Sequence, residues 1–164
     1  MGEVKDYKAL LIMALQDLHD GELAMAERLP KVREHARDGD FRQLIDRDRE
    51  RSAKQCDSLA GIARSLDAEP QDEPNIWLRA ILDDADNDAG IVAAGPLRDI
   101  ALVGALRKGK QAERVSYETA LALARQLELD EAAGALARIR DEEQAADDAL
   151  AQALERLTAR ETKE

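Results

Sequence analysis

Residues 68–96 read AEPQDEPNIWLRAILDDADNDAGIVAAGP. Pro70 and Pro74 end the helical pattern that enters this stretch, and Gly90, Gly95 and Pro96 interrupt it again before the next pattern begins. Between these breaks the apolar spacing predicts a short helix over about 75–86. To either side the chain carries long amphipathic patterns, over about 3–36, 41–67, 97–127 and 130–159. The turn RDGD at 37–40 separates the first two, with Asp40 as candidate N-cap, and Asp130 is the candidate cap of the last. Short turns make antiparallel neighbours of the helices they join. The stretch between the second and third long helices is long enough to travel the length of a bundle. One such crossover is the topology of ferritin-like bundles; cytokine-type bundles need two and simple up-and-down bundles none. The expected fold is therefore all-α: a single domain over 1–164, a ferritin-like four-helix bundle whose one long crossover carries a short fifth helix. Pro30 inside the first helix predicts a kink with a last turn beyond it.

Composition agrees. Of 164 residues, 45% are hydrophobic and 36% charged, which suits long helices with solvated outer faces, and aromatics make up only 2%, which disfavours all-β architectures. The formal net charge of −11 argues against nucleic acid, whose binders show a basic footprint, and against anionic membranes. The lone cysteine, Cys56, rules out an internal disulfide, and its place on a core face predicts a small buried hydrophobe. The N-terminal MGEVKDYKALL lacks the apolar block of a signal peptide, and no run reaches the ~20 apolar residues of a membrane span. The expected location is the cytoplasm.

Acids on the core faces hold the chemistry. Leu11, Leu15, Leu18, Met25 and Leu29 form the buried stripe of the first helix, and Glu22 interrupts it. In the third long helix Leu102, Leu106, Gly109, Tyr117, Ala120 and Ala124 surround Glu113. In the fourth, Leu136, Ile139, Ala146, Leu150 and Leu157 surround Glu143, with Asp147 one turn on. Counted from their turns at about 1.5 Å per residue, all three glutamates lie near mid-bundle. Ionised carboxylates buried together repel and lose hydration, so cations or protons must join them. Two arrangements satisfy this. One is a pair of metal ions, iron or manganese, held by Glu22, Glu113, Glu143 and Asp147, with Asp48, Gln55 or His19 completing an oxygen-rich set. The other is a metal-free ionic cluster in which Lys110 and Arg51, at the edges of their faces, neutralise the acids. His19, one turn before Glu22, serves either as a ligand or as a half-buried packing residue.

Several stretches resemble one bacterial family. DLHDGE at 17–22 with LPKV at 29–32 is similar to the first-helix signature Asp-Leu-Tyr-Asp-Ala-Glu…Leu-Pro-Lys of the YciE/YciF-like ferritin-related proteins. SYETALALARQLELDEAAGAL (116–136) and RDEEQAADDAL (140–150) resemble that family's last two helices. The resemblance implies a ferritin-like bundle with di-metal potential, a homodimer and a link to stress responses. By matching position it implies Glu22, Glu113, Glu143 and Asp147 as site residues. The chain departs from the pattern twice. His-Leu-x-Glu-Thr in the second helix appears as DRERS, with Asp48 for the histidine and Arg51 for the glutamate. Glu-His-Tyr-Glu in the third long helix appears as KQAE, with Lys110 for the first glutamate.

Three functional readings follow. The first is a non-catalytic bundle with a degenerate di-metal centre and a structural or stress-related role. The second is a metal-binding oxidase or iron-handling protein. The third is a helical interaction module that uses Trp77, Ile76, Leu78, Ile81 and Leu82 of the crossover, a patch whose simpler use is packing across the bundle. No Ser-His-Asp or Cys-His nucleophile is present, and GALRKGK at 104–110 lacks the ending of a phosphate loop.

Overall fold

The computed structural model describes residues 2–71 and 73–161. It contains five helices: α1 (Tyr7–His35), α2 (Gly39–Ser65), α3 (Ile76–Ile91), α4 (Pro96–Gln126) and α5 (Asp130–Glu161). The four long helices match the sequence pattern in number, order and extent. Differences lie at the ends. Asp6 caps α1, its carboxylate accepting the Ala9 N–H at 2.8 Å, so the helix begins later than the apolar pattern does. Asp38, not Asp40, caps α2: its side chain accepts the Phe41 N–H at 2.9 Å, and Asp40 falls in the first turn. The crossover helix runs five residues beyond the expected end at 86, because Gly90 sits in its exposed last turn and costs it little. α1 continues past Pro30 to His35.

α1 pairs with α2 and α4 with α5, each through a three-residue turn; α1 also packs on α4 and α2 on α5. α3 returns the chain along the furrow between α1 and α4. Two glycines allow that approach. A Cβ on Gly21 would meet the Asn75 side chain at 3.0 Å and Leu78 at 3.1 Å, and one on Gly109 would meet Leu78 at 3.3 Å. Polar bonds then fix α3 in register. Asn75 caps it and also donates from Nδ2 to the Asp17 carbonyl, Arg79 forks onto Asp20, and Arg28 reaches Asp83 and Asp86. Trp77 is half-buried with its indole N–H on Asp17 Oδ2 at 2.9 Å. Leu78 and Leu82 are wholly buried while Ile76 is 81% exposed, so most of the crossover patch packs across the bundle.

At the far end acids and an arginine tie the helices together beside buried Ala36, Phe41 and Leu157. Asp99 at the start of α4 accepts the backbone N–H groups of Arg37 and Asp38 at 2.9 and 2.8 Å, and Arg156 of α5 forks onto Asp38 at 2.8 Å. The core is in two pieces. One holds Met25, Leu29, Phe41, Ile45, Leu82 and Leu102; the other holds Leu11, Leu15, Leu18, Leu59, Tyr117 and Leu136. Between them lies a layer of buried polar side chains. Among the described residues no helix is long and apolar enough to cross a membrane.

Candidate functional site

Each long helix contributes to this layer from its midpoint: Glu22 from α1, Asp48, Ser52 and Gln55 from α2, Lys110 and Glu113 from α4, and Glu143 from α5. Their positions continue the apolar stripes at helical spacing, so the same periodicity that buries the leucines buries them. Glu22, Ser52, Lys110 and Glu143 are inaccessible to solvent.

Lys110 is the centre of the layer, not its edge. Its Nζ lies 3.0 Å from Asp48 Oδ1, 3.0 Å from Glu113 Oε2 and 2.9 Å from Glu143 Oε2, and so bridges three helices. Lys110 is four residues after Leu106, which is core spacing on α4, and so its stem follows the stripe inward. Arg51 is the edge group expected. It donates from Nη1 to Asp48 Oδ1 at 3.0 Å while part of its side chain stays in solvent.

Glu22, Glu113 and Glu143 converge as their spacing implied: one carboxylate oxygen from each lies within 4.8 Å of the others. The Tyr117 hydroxyl donates to Glu22 Oε1 at 2.8 Å. Asp147 does not join them. It is buried in the α4–α5 seam, where Arg107 holds it at 2.8 Å and Gln111 at 3.2 Å. The i+4 step from Glu143 keeps it on a buried face, but that face turns toward α4 and not toward the axis. Gln55 is buried in the layer and donates to Glu142 at 3.0 Å. His19 is buried one turn from Glu22, outside the carboxylate trio. Cys56 is half-buried at the edge of the α2 face and not in the core, since Gln55 takes the inward position.

The electrostatics follow from burial and crowding. Desolvation, with Glu143 nearby, pushes the Glu22 carboxyl up to about 8 against the opposing pull of Lys110, Tyr117 and Ser52. Burial and the neighbouring Glu143 and Glu22 hold Glu113 well above the usual carboxylate range, and burial raises Asp48. Burial works against the charge on Lys110, yet Asp48, Glu113, Glu143 and Glu22 together keep it well above its ordinary value. Four carboxyls thus face two cations, Lys110 and Arg51. Charge balance in a medium of low dielectric asks for two further positive charges, and burial and crowding favour the protonated form of Glu22, Glu113 and Asp48.

A family model, Domain of unknown function (DUF892), matches residues 6–163. The chain belongs to the DUF892 family. Two solved structures resemble this DUF892 protein closely in fold. The Escherichia coli stress protein YciF superposes with a TM-score of 0.91 at 22% identity, covering 95% of this chain and 99% of that one. YcfI from Rhodopseudomonas palustris gives 0.86 at 26% identity, covering 90% and 94%. No curated protein matches the sequence. The family match bears out the resemblance read from DLHDGE and the last two helices, and the likeness to YciF bears out the all-α bundle of four long helices with one crossover helix.

Proposed function

We propose that this DUF892 protein is a non-catalytic ferritin-like bundle in which a lysine ammonium stands in place of a metal centre, and that it plays a structural, stress-related role as a homodimer. The observation that carries the reading is the Lys110 Nζ within 3.0 Å of Asp48, Glu113 and Glu143. An iron or manganese pair needs an oxygen-rich cage contributed by all four long helices. The donor set here does not fit that need. α4 offers an ammonium where a second carboxylate would serve, and the one acid of the layer on α2, Asp48, is already engaged by Lys110 and Arg51. Asp147 is committed to Arg107. With Asp48 and Asp147 held by cations of the chain itself, the layer lacks the open carboxylate set that a redox metal pair would need, which supports a non-catalytic role.

The setting rests on the relatives. YciF is called a stress protein, and YcfI is described as a proposed structural protein. The homodimer rests on the family resemblance and is checked by sedimentation at twice the 18.1 kDa chain mass.

Metal analysis of protein purified without chelator tests the central statement. The expected content is far below one iron or manganese per chain, and added Fe(II) oxidises no faster with the protein than in buffer. A content near two per chain overturns the reading. The competing reading, an iron-handling protein, draws on the convergence of Glu22, Glu113 and Glu143, and accelerated Fe(II) oxidation would favour it.

A further inference from the structure

The furrow between α1 and α4 is only half filled. α3 lies in one half as an amphipathic helix, with Leu78, Leu82, Ala85 and Ala89 buried against α1 and α4. At about 1.5 Å per residue the 29 residues of α1 run roughly 44 Å, and the 16 of α3 cover roughly 24 Å. About 20 Å of furrow is left open, the length of a helix of about 13 residues.

The open half is a groove of about 470 Å³. Leu10, Met13 and Ala14 of α1 and Val115, Thr119 and Leu123 of α4 form its floor and walls, and Ile76 and Trp77 close the end where α3 starts. Three of the large apolar side chains exposed among the described residues, Met13, Ile76 and Val115, belong to it. An apolar surface of this kind left in water is a mark of a binding surface. The ionisable side chains that line it, Asp17 and Glu73, are both acidic. Burial already holds the Asp17 carboxyl above its usual range, so a cation brought alongside would relieve it.

We propose that this groove receives a basic amphipathic helix from a partner protein, laid end to end with α3 in the same furrow. The filled half shows how such a helix sits. α3 buries apolar residues at helical spacing and ties its flanks to α1 by ion pairs of both senses, Arg79 on Asp20 and Asp83 and Asp86 on Arg28. An incoming helix with leucine-like residues on one face would bury them in the same way, and because the charges lining the open half are Asp17 and Glu73, its flanks would carry Lys or Arg, in the helix-in-groove mode of recognition. The net charge of −11 adds a long-range pull on a basic partner. Groove-on-groove pairing of two copies lacks this complement, because among the described residues no cation lines the groove. The proposal is independent of the chemistry of the buried layer.

Trp77, the sole tryptophan, sits at the groove and reports on it. The test titrates the full chain with a synthetic amphipathic peptide of about 13 residues built only of Leu and Lys, and follows Trp77 fluorescence. A saturable blue shift is expected, with no shift from the matching Leu and Glu peptide. Ala14→Phe fills the groove floor without changing charge and should weaken binding about tenfold or more; Ile91→Ser, on α3's far end, should leave it unchanged. The proposal fails if neither peptide binds, or if Ala14→Phe binds the Lys peptide as well as the parent, which would mark charge attraction alone. It also fails if Ala14→Phe converts a dimer to a monomer in sedimentation, since a second copy would then own the groove.

Discussion

Leu15 and Lys110 are both wholly buried on inward faces of the bundle, and they are filled in by opposite chemistry. Leu15 belongs to an apolar cluster with Leu11, Leu18, Leu59, Tyr117 and Leu136, whose burial adds to stability because apolar area leaves water. Around Lys110 the neighbours are Asp48, Glu113, Glu143 and Glu22, and every group there lost hydration that its partners only return together. The apolar clusters bury no charge and are tolerant of pH. The middle layer is a single unit in which one missing member strands the rest.

Substitutions at the two places sharpen that contrast. Lys110→Met should have the largest effect: it leaves three carboxyls without their common cation and costs about 3–5 kcal/mol in urea unfolding near neutral pH. The loss should shrink as pH falls, because protons then take over. Leu15→Ala should cost about 2–4 kcal/mol by leaving a cavity, and by the same amount at acidic and neutral pH. If both variants respond alike to pH, the contrast is broken. Tyr117→Phe removes the hydroxyl from Glu22 Oε1 and should cost about 1–2 kcal/mol, the smallest change of the three, since Lys110 and its direct contacts remain.

Much of this was legible in the sequence. Glu22, Glu113 and Glu143 stand out because each interrupts a clean apolar stripe, and stripe spacing is the one signal that also sets burial. The crossover was legible because Pro70, Pro74 and Pro96 punctuate it. The sequence puts Lys110 at an edge because a long stem usually carries its ammonium out to water; whether it turns inward depends on the charges opposite, which belong to α2 and α5. Asp147 shares a face with Glu143 by helical spacing, which does not say which neighbour covers it, and Arg107 is on another helix. The Asp38 cap is local, and DGDF at 38–41 offers Asp38 as readily as Asp40; the bonds from Arg156 and to Asp99 that hold Asp38 come from other helices. The close approach at Gly21 is tertiary, and the small residues on both crossed helices are a usable hint of it.

The account turns on what closes the charge of the middle layer, and the pH dependence of stability in metal-free buffer measures that directly. Glu22 titrates near 8 in the fold against an ordinary 4.5, so between these values the folded chain binds more protons than the unfolded one. Its stabilisation is then complete below the unfolded value and is lost as pH rises through the folded value. Glu113, also raised, acts in the same direction. The predicted result is an unfolding free energy that falls steadily from about pH 5 to about pH 9, with no recovery on adding Mn(II). Stability that rises over that range in the presence of Mn(II), as carboxylates shed protons to take up metal, would contradict the account.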